Sequence, residues 1–129
     1  MDTAQFLMHF QDHLAPRLDT YEQAIYLYAV RHSRLLDRSD VVIGFKSART
    51  VIARGIGKAG SPMSEHVCYE KLRSLEKKGL VQLLRTEHGG TRLRVLLPSE
   101  VPGLLPGEMT AVPPSLEDLD FFEVARIAC

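Results

Sequence analysis

Between residues 4 and 15, the apolar side chains Phe6, Leu7, Phe10 and Leu14 recur at spacings of one, three and four. That spacing puts them on one face of a helix, and Pro16 ends it. The stripe either packs on the rest of the chain or pairs with a second copy, and internal packing is the commoner fate. A second helix is expected from residue 20 to about 33, opened by a capping box between Thr20 and Gln23. Tyr21, Ala24, Ile25, Tyr28 and His32 share one face, and Leu27 and Val30 add apolar surface elsewhere, so this helix reads as largely buried. After the loop Arg38-Ser39-Asp40 comes the β-branched run Val41-Val42-Ile43-Gly44-Phe45, which suits a short strand or a docking segment. Lys46 to about Arg54 reads as a third helix, capped by Ser47 and buried through Ala48, Val51 and Ile52.

Three glycines and a proline within residues 55–62 cannot continue a helix and predict a long turn. A fourth helix is predicted over 64–78. Ser64 is its N-cap, Glu65 favours the positive end of the dipole, Lys77 and Lys78 favour the negative end, and Gly79 supplies the left-handed stop. Residues 81–86 and 91–97 read as strands, joined through Glu87-His88-Gly89-Gly90 as a tight hairpin. From Ser99 onward, prolines and glycines predict a linker, followed by a short acidic amphipathic helix over 115–127. The expected class is α+β: mainly helical with one small hairpin. Its divisions are an N-terminal helix (1–18), a central domain (19–98) and a linker with an acidic tail (99–129).

The formal net charge of zero hides an asymmetry. Residues 1–30 hold one arginine against four acids, net −3; residues 31–95 hold 14 cations against six acids, net +8; residues 96–129 hold one arginine against six acids, net −5. A basic middle between acidic ends suits a nucleic-acid surface, against the alternative of chance unevenness. No apolar run approaches the ~18 residues of a membrane span, and no secretion signal is evident. With two cysteines and neither a disulfide framework nor a metal motif, a reducing, cytoplasmic setting is expected.

At 100° per residue, Cys68, Leu72 and Leu75 of the fourth helix point one way, and His66, Glu70, Arg73 and Lys77 the other, with Tyr69 at the border. A polar, mostly basic face on a helix with a buried back fits the major groove. Ser64 and Glu65 would approach first. Arg73 can bind guanine, His66 and Tyr69 can reach bases or phosphates, Glu70 can accept from cytosine, and Lys77 suits the backbone. Lys46, Arg49 and Arg54 in the third helix and Lys58 in the turn add cations. In the hairpin, Arg85, His88, Arg92 and Arg94 alternate with apolar Leu83, Leu93 and Val95, as a wing on DNA requires.

Signals for an enzyme are weak. Gly55-Ile56-Gly57-Lys58 lacks the spacing of a phosphate loop. His9 and His13 are four apart but without the glutamate of HExxH, and Cys68 reads as a core residue. No metal or cofactor is expected.

From Thr20 to Leu97 the chain resembles a bacterial winged helix-turn-helix module. The resemblance rests on the Ser64-capped helix ending Leu75-Glu76-Lys77-Lys78-Gly79-Leu80-Val81 before a hairpin. Three stretches, Glu22-Gln23-Ala24-Ile25-Tyr26-Leu27-Tyr28, Val42-Ile43-Gly44-Phe45-Lys46-Ser47-Ala48-Arg49 and Glu87-His88-Gly89-Gly90-Thr91-Arg92, are similar to the N-terminal region of bacterial HNH-endonuclease-like proteins. In those, an Asp-Phe-Phe motif, here Asp120-Phe121-Phe122, leads into a zinc-binding nuclease domain. The nuclease histidine, asparagine and paired cysteines do not occur in this chain, so the resemblance carries over no catalytic residue. It implies a double-stranded DNA-binding module, as a transcription regulator or the targeting part of a nuclease. Two alternatives stand beside it: a winged helix that binds only proteins, and an acidic tail that folds over the basic face. A homodimer through the N-terminal helix is also open.

Overall fold

A computed structural model of the chain describes residues 1–52 and 61–106. It is a mixed α+β structure. Among the described residues it contains four α-helices and a three-stranded antiparallel sheet. Residues 55–60 of the predicted turn (Lys58 among them), the neighbouring Arg54 and the predicted tail helix at 115–127 lie outside the described residues.

Helix α1 (Thr3–His9) begins where the Asp2 carboxylate accepts the Gln5 amide at 3.0 Å. The chain then widens into a π-helical stretch, Phe10–Leu14, and tightens into a 3-10 turn, Ala15–Arg17, that accommodates Pro16. Phe6, Phe10 and Leu14 are buried, while Leu7, expected on the same stripe, stands 54% exposed. The Phe6 and Phe10 rings lie 6.3 and 6.0 Å from the Tyr26 ring of the next helix. Phe6, Phe10 and Leu14 of the stripe therefore pack internally, while Leu7 does not.

Helix α2 (Thr20–Arg31) is capped one residue earlier than expected. Asp19 accepts the Glu22 amide at 2.8 Å and Glu22 accepts the Asp19 amide at 2.9 Å, leaving Thr20 inside the first turn. Its core face is also rotated from the predicted one. Glu22, Ile25, Tyr26, Ala29 and Val30 are buried, Tyr21, Ala24, Tyr28 and His32 are half-buried, and Leu27 is exposed. The buried Tyr26 keeps its hydroxyl satisfied by donating to the Leu96 carbonyl at 2.7 Å.

Strand β1 (Asp40–Ile43) makes the β-branched run a strand and not merely a docking segment. Helix α3 (Phe45–Ile52) follows after Gly44 alone. Ser47 lies within α3 and does not cap it, and Val51 is 71% exposed, not buried. Phe45 and Ala48 carry the packing. Helix α4 (Glu65–Lys77) precedes β2 (Val81–Glu87) and β3 (Gly90–Val95). The sheet order is β1-β3-β2, with Leu93 opposite both Val41 and Leu83 and a bulge between Leu83 and Arg85.

The chain does not become a linker at Ser99. A 3-10 turn (Pro98–Glu100) packs against α1, and Leu104 and Leu105 are buried. Arg34, after α2, clasps Glu100 with both guanidinium nitrogens at 2.5 and 2.7 Å. Phe6, Tyr26, Leu72, Leu93 and Leu104 belong to one core, so α1 and the segment up to Leu104 pack with the central elements. No described helix is long and apolar enough to cross a membrane.

Candidate nucleic-acid interface

Helix α4 has the start and stop its sequence predicts. Ser64 Oγ accepts the Val67 amide at 3.1 Å, Glu65 lies in the first turn, and Gly79 takes φ +83°. Cys68, Leu72 and Leu75 are fully buried. Burial pushes the Cys68 thiol up, and its sulfur lies 3.7 Å from that of Met63.

A second row on α4 holds the helix to α2, and the sequence reading missed it. Lys71 Nζ meets Asp19 at 2.6 Å, Ser74 Oγ donates to Glu22 at 2.5 Å, and Lys78 Nζ meets Glu22 at 2.9 Å and the Arg17 carbonyl at 3.0 Å. Residues 71, 74 and 78 recur every three to four positions. That periodicity was the available signal, but its partners lie far away in sequence. The Glu22 side chain is only 4% exposed. Desolvation pushes its carboxyl up, yet the bonds from Ser74, the Asp19 amide and Lys78 hold it below the ordinary value.

The opposite face carries His66, Glu70, Arg73 and Lys77, all exposed. The His66 imidazole lies 3.9 Å from Glu70. Among the described residues, Arg73 and Lys77 have no ion-pair partner. Tyr69 is half-buried, its ring edge-on to Phe45 at 5.4 Å. That contact brings the middle of α4 beside the start of α3, where Lys46 is exposed. Arg49 is used differently: it donates to the Met63 carbonyl at 3.1 Å, tying α3 to the segment before α4.

The hairpin tip joins the same region backbone to backbone. A Cβ on Gly44 would lie 2.6 Å from the Gly89 oxygen, and a Cβ on Gly90 would overlap the Ile43 carbonyl. Gly89 and Gly90 take φ of +96° and +146°, conformations that glycine alone adopts cheaply. His88 is therefore exposed close to the β1–α3 junction. Two of the predicted wing cations are compensated. Arg85 lies 2.5 Å from Glu87, and Arg92 lies 2.6 Å from Glu87 and 3.1 Å from Asp40. The Arg92 hydrogen bond, aided by Arg85, holds the Glu87 carboxyl below its usual range. Arg94 is exposed, with no ion-pair partner among the described residues.

The structure thus brings Lys46, Tyr69 and His88 to one region bordered by the exposed row of α4, while committing Arg49, Arg85 and Arg92 to internal partners. Among the described residues no group of three or more histidine, cysteine, aspartate or glutamate side chains could hold a metal ion. Comparison with protein-family models, with curated proteins and with solved structures finds no match to this chain.

Proposed function

We propose that the chain is a winged-helix module that binds double-stranded DNA, with α4 in the major groove and the β2–β3 hairpin as its wing. The observation that carries this reading is the division of α4. Its back is buried and Lys71 and Lys78 are tied to Asp19 and Glu22, leaving Arg73 and Lys77 exposed, with no ion-pair partner among the described residues. The order α2, β1, α3, α4, β2, β3, with a hairpin after α4 and sheet order β1-β3-β2, supports this reading. Lys46 and His88, both exposed, lie near the β1–α3 junction beside this face. The biological setting proposed is cytoplasmic, as a transcription regulator or as the DNA-targeting part of a larger nuclease.

Duplex affinity measured across a salt series tests the proposal. Binding should weaken steeply with salt because phosphate contacts release counterions. An affinity indifferent to salt would reject it. A second reading, a winged helix that binds protein without DNA, is favoured by the pairing of Arg85 and Arg92 with Glu87, which neutralises much of the wing. Partners that survive nuclease treatment of a cell extract, with no duplex shift at low salt, would select that reading.

A further inference from the structure

Away from the exposed row of α4, an open groove of about 460 Å³ runs between the end of α2, β1 and α3. Tyr28, His32, Leu36, Val41, Val42 and Val51 are among the residues that line it. Its floor is the outer side of β1, an edge strand whose only strand partner among the described residues is β3. Leu36 is 48% exposed and Val51 71%, and the adjacent Leu35 is also exposed. Leu36 and Val51 thus add exposed apolar surface to the groove walls. The rim is basic. Arg38 lines the groove, Arg31 precedes His32 and Lys46 precedes Ser47, and none of the three has an ion-pair partner among the described residues. Of the nearby acids, Asp40 is neutralised by Arg92, and Asp37 is exposed beside Arg38.

The chain itself carries a segment of matching chemistry. Residues 115–127 contain Leu116, Leu119, Phe122 and Val124 interleaved with Glu117, Asp118, Asp120 and Glu123, against a single arginine. Eight residues separate Pro106 from Ser115, enough for the two to lie about 30 Å apart when extended. A domain of this size has a radius of gyration of only about 13 Å, so the segment can reach this face. We propose that residues 115–127 dock in cis into the α2–β1–α3 groove, their apolar side chains on Val41, Val42 and Val51 and their carboxylates against Arg38 and the neighbouring Arg31. This binding does not depend on what α4 recognises. It differs from an acidic tail laid over the exposed row of α4, because it is the apolar groove that selects the site.

The full chain offers a handle for the test. Cys68 is fully buried, so a nitroxide reagent applied to the native protein labels Cys129, two residues beyond Ile127. Docking in cis should cut the amide signals of Val41, Val42 and Val51 by half or more. Phe122→Asp should restore them, as should Val51→Asp, which alters an already exposed residue. Signal loss confined to His66, Arg73 and Lys77 would overturn the proposal in favour of the tail lying on α4, and loss nowhere would overturn it outright. A mixture of spin-labelled, isotopically silent chains with unlabelled, isotope-enriched chains separates the two copies. Signal loss in that mixture equal to that in the single sample would place the segment on a second copy and overturn docking in cis.

Discussion

The Glu22 carboxylate of α2 receives the Lys78 ammonium of α4 at 2.9 Å, across 56 residues of sequence. Glu22 is buried, so the pair is not an ordinary surface ion pair of little worth. Removing Lys78 takes the charge partner from a desolvated carboxylate, and removing Glu22 takes the acceptor from Ser74, Lys78 and the Asp19 amide at once. Glu22→Ala should cost about 3 kcal/mol in urea unfolding, and Glu22→Gln, which still accepts from Ser74, should cost less. Equal stability in all three proteins would show that the contact contributes nothing.

The same group predicts acid sensitivity. The folded carboxyls of Glu22 and Glu100 lie below their ordinary 4.5, and that of Asp19 below its ordinary 3.8. For Asp19 and Glu22 desolvation opposes the shift but is outweighed by hydrogen bonds and lysine charge, whereas for Glu100 the Arg34 bond is the leading cause. A carboxyl whose folded value is depressed binds its proton more readily in the unfolded chain. Its contribution is complete above the unfolded value and is lost as pH falls through the folded one. Stability should therefore decline below about pH 4.5, and the decline should be shallower in Glu22→Gln. A flat profile down to strongly acidic pH would contradict the assignment.

The proposed DNA contacts separate exposed from committed cations. Arg73→Ala should lose about 1–3 kcal/mol of duplex binding and relax sequence preference, and Lys77→Ala should lower the salt slope by about one. Arg92→Ala should leave the slope nearly unchanged, because its guanidinium already serves Glu87 and Asp40. The ordering of the three slopes in a fluorescence-anisotropy series checks this. A larger slope change for Arg92 than for Lys77 would place the DNA on the sheet.

Gly90→Ala should destabilise the hairpin strongly. The new methyl would meet the Ile43 carbonyl, and φ of +146° is costly for any residue with a Cβ. A loss of at least about 2 kcal/mol is expected, with amide signals of β1 and β3 shifting together. Unchanged stability would mean that the two backbones do not meet there.

Tyr26→Phe keeps the ring between Phe6 and Phe10 but orphans the Leu96 carbonyl. A cost of about 1 kcal/mol is expected. Thermal unfolding of the variant measures it, and no change would mean that water satisfies the carbonyl equally well.

Helix α4 was legible because cap, dipole charges, stop glycine and a one-sided apolar row all coincide within a few residues. Helix α2 was less so. Asp19 with Glu22 and Thr20 with Gln23 have the same spacing, and only the structure shows that the two carboxylates form the box. Its core face was misread because the buried positions include Glu22, a residue apolar periodicity counts as exposed, and its partners Ser74 and Lys78 lie more than 50 residues away. The same distance hid Arg34 with Glu100, so proline and glycine content alone made the segment after Ser99 read as a linker. Val51 was placed in the core because α3 is short and the apolar side chains at 48, 51 and 52 span a wide arc, of which Phe45 and Ala48 fill the available space. On the candidate interface, Arg73, Lys77, His66 and Lys46 lie exposed on their helices as their spacing predicts. The commitment of Arg49, Arg85 and Arg92 depends on tertiary neighbours that no local pattern encodes.

The turn at Pro98–Glu100 rests against α1 while Glu100 grips Arg34. The first and last described segments therefore act as a single latch, each closing over the other. Limited proteolysis within residues 98–105 would uncover Phe6 and Leu14. The two ends should lose hydrogen-exchange protection as one cooperative unit, not fray independently.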